Sequence, residues 1–296
     1  MCGVLLLDKP AGLSSNAALQ RVRRLLGADK AGHVGSLDPL ATGMLPICLG
    51  EATKVAGEIL SGRKRYRFTV GLGSRTATGD TEGDVVQTAA VPDLDGPRID
   101  AALQSFLGSQ SQVPPMYSAI KRGGQPLYKL ARAGVEVERE PRHIEIFSLP
   151  RIRFDGSSLE LEALCSKGTY IRTLSEDIAR KLGTCGHVTA LRRLFVEPFE
   201  GEPMQTLESL DASSHTDESA RTARILPADW PLRHLPAVPL DAAQTSRMLH
   251  GQAVMTSSSG AEGTVRLYDP VNVFLGLGQS DGHGAIRPRR LFVQAD

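Results

Sequence analysis

Residues 32–43 read Gly32-His33-Val34-Gly35-Ser36-Leu37-Asp38-Pro39-Leu40-Ala41-Thr42-Gly43. The glycines let this backbone turn sharply or approach a ligand closely. Pro39 disfavours helical geometry at Asp38 and holds that residue extended. A carboxylate stiffened between two ordered elements is well placed to act as a nucleophile or base. An Asp-Pro pair also initiates ordinary turns, and local physics alone favours that plainer use.

Working outward, Gly3–Leu7 predicts a short buried strand ended by Lys9-Pro10-Ala11-Gly12. Ser14 or Ser15 can cap a helix in which Leu19, Val22, Leu25 and Leu26 recur at helical spacing until Gly27 stops it. Beyond the quoted stretch, Met44–Leu49 predicts a strand and Glu51–Leu60 a helix. In Arg65–Leu72 the side chains of Tyr66, Phe68 and Val70 share one face and Arg65, Arg67 and Thr69 the other, the pattern of a half-buried strand. A helix near Ile99–Leu107 and a loop from Val113 to Gly124 follow. Strands are expected at His143–Phe147, Arg151–Phe154 and Leu159–Cys165, then a helix at Ile171–Leu182 and a strand or loop at His187–Phe195. Strands mixed irregularly with helices favour an α+β core over a regular βαβ array.

The whole chain has 296 residues, 41% hydrophobic and 23% charged, which is globular composition and excludes a disordered chain or a fibrous repeat. Its 34 Lys+Arg against 33 Asp+Glu give a net charge of +1. That neutrality is an average. Residues 1–80 carry 11 basic and 6 acidic side chains (11 − 6 = +5), whereas 197–229 carry eight acidic residues against Arg221 and Arg224. Phosphate binding depends on local cations, so a polyanionic partner is not excluded. Four cysteines without a C-x-x-C pair suggest reduced thiols rather than a disulfide framework, and the seven histidines show no metal-ligand spacing. The apolar run Val4–Leu7 is too short for a signal peptide, and no stretch approaches the ~20 residues that span a bilayer, so a cytoplasmic protein is expected. The composition predicts a large unit over 1–196, an acidic linker or peripheral segment over 197–237, and a smaller unit over 238–296. In that last unit a helix at Asp241–His250 precedes the short apolar runs Val265–Tyr268, Val271–Leu277 and Leu291–Val293, the pattern of a small β-barrel-like domain.

The run GHVGSLDPLATGMLPICLG at 32–50 resembles the catalytic motif of the TruB family of tRNA pseudouridine synthases. Four further segments are similar to that family in the same order: Leu7-Asp8-Lys9-Pro10-Ala11-Gly12, Lys64-Arg65-Tyr66, Val113-Pro114-Pro115-Met116-Tyr117-Ser118-Ala119, and Cys165-Ser166-Lys167-Gly168-Thr169-Tyr170-Ile171-Arg172-Thr173. His187-Val188 with Leu191-Arg192-Arg193 extends the likeness.

The resemblance implies a mixed, largely antiparallel central sheet flanked by helices, with a C-terminal PUA-type RNA-binding domain. It implies isomerisation of uridine to pseudouridine at position 55 of the tRNA T-loop, with no cofactor and no metal. Asp38 would be the catalytic carboxylate, either attacking the sugar or base or removing a sugar proton to give a glycal. Tyr66 would stack on the target base and assist proton transfer as a catalytic residue, and Arg172 would pair with Asp38 and hold it ionised, as an opposite charge lowers a carboxylate pKa. Tyr170 and Leu191 would line the pocket and His33 would lie against the RNA. Each of these also has a plainer use, in the core or on the surface. Arg21, Arg23 and Arg24 on the first helix and Arg63, Lys64, Arg65 and Arg67 on the strand are candidate phosphate contacts, or simply a solvated charged face. The implied partner is tRNA, touched at the T-loop and acceptor stem by a monomer with no obligate protein partner. The competing class is an RNA-binding or tRNA-folding protein with a vestigial site. An Asp-dependent hydrolase is disfavoured because no partner carboxylate or Mg-binding cluster lies near Asp38 in the sequence.

Overall fold

The computed structural model describes residues 1–214, 222–256 and 262–292. Its first strand, β1 (Gly3–Lys9), is apolar on both faces and buried along nearly its whole length. Helix α1 (Ser15–Leu26) begins where the Ser14 hydroxyl accepts the Ala17 N–H and ends at Gly27, whose φ of 62° turns the chain left-handed. The quoted stretch then supplies the three-residue strand β2 (Ala31–His33), the Asp38 turn, and β3 (Thr42–Leu49). A 3-10 turn (Gly50–Val55) leads into α2 (Ala56–Ser61), so the expected Glu51–Leu60 helix is split in two.

Next come β4 (Lys64–Leu72), the hairpin β5 (Ser74–Thr76) and β6 (Val85–Thr88), α3 (Gly96–Gln104) and β7 (Gly108–Gln112). The expected 113–124 loop contains part of a small hairpin, β8 (Lys121–Arg122) with β9 (Gln125–Pro126), before α4 (Leu127–Arg132). Strands β10 (Arg142–Ser148), β11 (Arg151–Phe154) and β12 (Ser158–Cys165), helix α5 (Ile171–Lys181) and β13 (Gly186–Val196) complete this part. The nine-stranded sheet runs β1-β3-β13-β4-β12-β10-β7, with β2 beside β3 and β11 beside β12. All its pairings are antiparallel except β13 with β3, which meet in parallel at Arg192/Thr42 and Arg193/Gly43. That parallel seam requires glycine at 43. Its φ is 98°, and a Cβ there would collide with the Arg193 carbonyl oxygen.

Residues following β13 cover the outer edge of β1. Gln205 N–H donates to Leu6 O and Asp8 N–H to Gln205 O, while Val4 and Leu226 exchange two backbone bonds. Helix α6 (Leu207–Ser214) packs nearby on α1. A sheet edge left bare would invite another chain, and this cover removes it. The C-terminal residues form a five-stranded sheet in the order β14 (Ala237–Pro239), β16 (Glu262–Tyr268), β17 (Phe274–Asp281), β18 (Ala285–Leu291) and β15 (Val254–Met255), with α7 (Ala242–Leu249) against it. The strand expected from Val271 starts only at Phe274, because Asp269 accepts the Val271 and Val273 N–H groups in a tight turn. Val293, at the end of the last expected run, lies outside the described residues. No helix among the described residues is long and apolar enough to cross a membrane.

Candidate active site

Asp38 sits on a turn pinned at both neighbours. The buried Ser15 hydroxyl donates to Leu37 O (2.9 Å) and accepts from Leu37 N–H (2.7 Å). The Lys9 ammonium, fully buried, donates to Pro39 O (3.3 Å) as well as to Pro10 O (2.9 Å) and Leu13 O (2.6 Å). These contacts leave the Asp38 carboxyl about one-third open to solvent (37%) while its backbone is fixed.

Arg172 reaches that carboxylate from the first turn of α5. Its Nε lies 2.9 Å from Asp38 Oδ2, and its Nη2 donates to Asp38 Oδ1 at 3.3 Å. The two-point geometry suits a guanidinium fork meeting a carboxylate. Nη1 donates to Thr78 O (2.7 Å) and Nη2 also to Tyr117 O (2.6 Å), so the side chain, only 5% exposed, is held from three sides. Behind it lies a second carboxylate, Asp80, buried and 3.7 Å from Arg172 Nε. Asp80 Oδ1 accepts from Thr78 Oγ1 (2.5 Å) and Glu82 N–H (3.0 Å). Gly79 lets this loop press onto α5, since a Cβ there would stand 3.0 Å from Glu176 Oε1.

Burial pushes the Asp38 carboxyl above the usual carboxylate range, with Arg172 opposing and Asp80 reinforcing the shift. The expected ion pair is present, but its lowering effect is outweighed by desolvation, a correction to the sequence-based expectation. Burial likewise pulls the Lys9 ammonium down to about 8 against the pull of Asp38. His33 is half-buried on β2, and desolvation plus the Arg193 charge push its imidazole below its ordinary range. Its Nδ1 has no partner among the described residues.

Tyr66 lies on β4 opposite Ala163 of β12 and Arg193 of β13, partly buried against the main core, and burial raises its phenol. Tyr170 stands at the N-terminus of α5, where the Gln112 side chain accepts its N–H (2.8 Å) and donates to its C=O (3.1 Å). Both backbone groups of Tyr170 are thereby clamped, two positions before Arg172. Leu191 is 8% exposed and packs in the main core on β13, opposite Phe68.

The expected cationic faces are different from what the sequence suggests. Arg63 makes a bidentate pair with Glu197 (2.9 and 3.2 Å), and Arg67 pairs with Glu160 at 2.8 Å. Arg65 faces Glu162 (3.7 Å) and Glu200 (3.4 Å), and Lys64 is buried with its ammonium on Leu60 O and Gly62 O. Strand β12 brings glutamates beside the β4 arginines, so this charge is spent within the protein. Arg21 and Arg24 line a hollow with Glu208 and Asp211, while Arg23 bonds to Ala28 O. By contrast, Lys121, Lys129, Arg142, Arg287 and Arg290 are exposed and have no carboxylate partner among the described residues. Sequence reasoning gave no role to Asp80 and Gln112, which carry no local pattern, quoted Arg193 only within the likeness without assigning it a role, and set Lys9 aside as a strand-end residue. Among the described residues no group of three or more His, Cys, Asp or Glu is placed to hold a metal ion.

Comparison with known proteins gives consistent results. Residues 23–171 match the N-terminal domain of the TruB family pseudouridylate synthases. Residues 172–233 match the tRNA pseudouridylate synthase B C-terminal domain, and 236–292 the C-terminal part of pseudouridine synthase II TruB. The "tRNA pseudouridine synthase B" of Chromohalobacter salexigens is 50% identical over 295 residues, covering 99% of this chain and 95% of that protein. The protein of the same name from Vibrio cholerae is 47% identical over 302 residues, covering 99% and 96%. Among solved structures, a Cbf5-Nop10-Gar1 complex aligns with a TM-score of 0.74 at 24% identity, over 98% of this chain and 85% of that one. A chain of an H/ACA RNP bound to a substrate RNA containing 2'-deoxyuridine aligns with a TM-score of 0.74 at 22% identity, over 99% and 86%. At that identity these two likenesses speak for the fold.

Proposed function

Because the chain belongs to the TruB family of pseudouridine synthases, it is an enzyme that isomerises uridine to pseudouridine in tRNA, and we propose that the reaction takes place at Asp38, on the T-loop uridine at position 55, turned out of its stack. The observation that carries this reading is the Asp38–Arg172 pair, made by residues 134 positions apart and braced by Thr78 O, Tyr117 O and Asp80.

The chemistry breaks the N1–C1′ bond, turns the uracil, and joins C5 to C1′, after which the C5 proton is lost and N1 ends protonated, so the atoms of the uridine are conserved. Nothing is oxidised and no group leaves, so the protein must hold a nucleotide and place one carboxylate. Both routes open to Asp38, attack on the substrate or removal of a sugar proton, start from its ionised form. Arg172 favours that form and fixes the direction of its oxygens. Desolvation works the other way and makes the carboxylate more basic than one in water, which is useful in either role. Tyr66 and Tyr170 supply aromatic faces for the flipped base, and His33 lies against the RNA. The vestigial-site alternative is not favoured, since the ion pair is intact and the relatives are named as synthases.

Extrusion of a nucleotide costs a few kcal/mol, to be offset by backbone contacts and stacking. The exposed, unpaired Lys121, Lys129 and Arg142 near the β8–β9 and β10 elements suit the T-arm, and Arg287 and Arg290 of β18 suit the acceptor stem. We place the enzyme in the cytoplasm with its tRNA, acting as a monomer.

The test is to incubate the protein with an unmodified tRNA transcript and no added cofactor, then map pseudouridine. Product at position 55 with wild type and none with Asp38→Asn is the expected result. Product elsewhere, or full activity of the variant, would overturn the assignment.

A further inference from the structure

Gln112 closes β7 with its side chain buried, at 5% exposed. A buried amide must find partners for both its oxygen and its nitrogen, or it forfeits the hydrogen bonds it had in water. This one spends both on a single residue 58 positions away. Oε1 accepts the Tyr170 N–H at 2.8 Å, and Nε2 donates to Tyr170 O at 3.1 Å. The pairing also settles which end of the amide is which, since an N–H only donates and a carbonyl oxygen only accepts.

Tyr170 is the N-cap of α5, a position where Ser, Thr, Asp or Asn ordinarily holds the first turn. Its own side chain makes no capping bond, and the first turn of α5 contains no acidic residue. In a capping box the N-cap N–H is accepted by the side chain of the third helical residue. Here Gln112 takes that part from a strand, and adds a bond to the carbonyl that also accepts the Leu174 N–H at 3.0 Å. β7 is itself held, since β10 pairs with each of its residues up to Arg142 opposite Gln112. β10 also ties down the far end of the β12–α5 loop: Ser166 N–H donates to Glu145 O (2.9 Å) and Glu145 N–H to Ser166 Oγ (2.8 Å). Five residues after Gln112, the Tyr117 carbonyl accepts from Arg172 Nη2 at 2.6 Å. The 112–117 segment therefore grips 170–172 at two points, the N-cap backbone and the guanidinium.

We propose that Gln112 is a positioning residue of the isomerisation, which sets the start of α5 from β7 so that Arg172 meets the Asp38 carboxylate at two points. It rests on the reading of Asp38 as the reacting carboxylate. Gln112 acts through the Tyr170 backbone and makes no hydrogen bond to Asp38. Asp38 faces Arg172 on α5, Asp80 and Glu82 between β5 and β6, and Lys9 at the end of β1. Of these groups only Arg172 stands in the segment that Gln112 clamps. An uncharged replacement at 112 therefore reaches Asp38 through Arg172.

The experiment compares wild type with Gln112→Met in single-turnover pseudouridine formation on an unmodified tRNA transcript, between about pH 5 and 8. Methionine keeps the length and the neutrality of glutamine but neither hydrogen bond. The rate at saturating enzyme is expected to fall about tenfold, with the half-saturating enzyme concentration within about threefold of wild type. The acid limb of the profile should also move up by about half a pH unit or more, because a displaced Arg172 favours ionised Asp38 less. A merely structural role would lower the folded fraction and leave the limb of the folded enzyme in place. A wild-type rate, or a lowered rate with the limb unmoved, would overturn the proposal while leaving Asp38 as the reacting group. Full activity of Asp38→Asn would overturn that reading and this inference with it. Should Gln112→Met fail to fold by circular dichroism, Gln112→Asn, which keeps the amide on a stem one methylene shorter, carries the test. Its limb is expected to move in the same direction, and an unmoved limb would overturn the proposal.

Discussion

Replacing Lys9 by methionine separates the cost of a buried charge from its use. The wild-type ammonium is fully buried, donates to three carbonyl oxygens, and is pulled by desolvation from 10.5 to about 8. That lowering favours the neutral form in the fold by about 3 kcal/mol. The folded state therefore binds fewer protons than the unfolded chain between pH 8 and 10.5, and stability rises with pH through that window. Below pH 8 the whole penalty is present. Lys64, also buried and lowered to about 8, contributes a second rise of the same sign. In Lys9→Met the Lys9 share disappears, so the stability gain between pH 8 and 10.5 should fall to roughly half of wild type. The anchor on Pro39 O is lost as well, together with a cation that favours ionised Asp38. Turnover at pH 7 should drop about 10- to 100-fold, or about 1.4–2.8 kcal/mol of transition-state stabilisation. Urea unfolding followed by circular dichroism at several pH values measures the first effect, and pseudouridine formation measures the second. An unchanged pH dependence of stability would refute the buried-charge argument, and wild-type turnover would refute the anchoring role.

Asp38→Asn should abolish product yet keep tRNA binding within about threefold by filter binding, because cationic contacts to the phosphate backbone, not a carboxylate, supply most of the affinity. Loss of binding in step with activity would contradict this. Arg172→Ala should lower kcat by at least about 100-fold, since it leaves Asp80 buried without its cation and Asp38 undirected. Single-turnover rates at saturating enzyme check this, and a change confined to KM would reject the orienting role. Arg67→Gln, on a face already neutralised by Glu160, should leave the salt dependence of tRNA affinity unchanged, whereas Arg142→Gln should reduce its slope by about one phosphate contact. The reverse pattern would restore β4 as the RNA-binding face.

The fold was legible where side-chain periodicity is strong. β1 and β3 follow from continuous apolar runs, β4 from alternation, and α1 and α5 from helical apolar spacing, with caps at Ser14 and Gly27 for α1. β7 was not legible. Its sequence Gly-Ser-Gln-Ser-Gln has no apolar face, and it is a strand only because β10 supplies an antiparallel partner for each residue from Gly108 to Gln112. The split of the 50–61 helix was hidden for a similar reason, since a 3-10 turn and an α-helix share composition.

By itself the sequence determined the local chemistry of this protein. Pro39 and the glycines around Asp38 dictate a stiff turn, and the run of similar segments from Leu7 to Arg193 identifies the family. Backbone preference and face periodicity are properties of neighbouring residues, so a linear string contains them. Only the tertiary structure decided which charges meet. It set Arg172 against Asp38 and Asp80, spent Arg63, Arg65 and Arg67 on glutamates, and buried Lys9 and Arg193 beneath the site. Electrostatic energy depends on distance in space and on exclusion of water, and both are fixed only when strands far apart in the chain lie side by side.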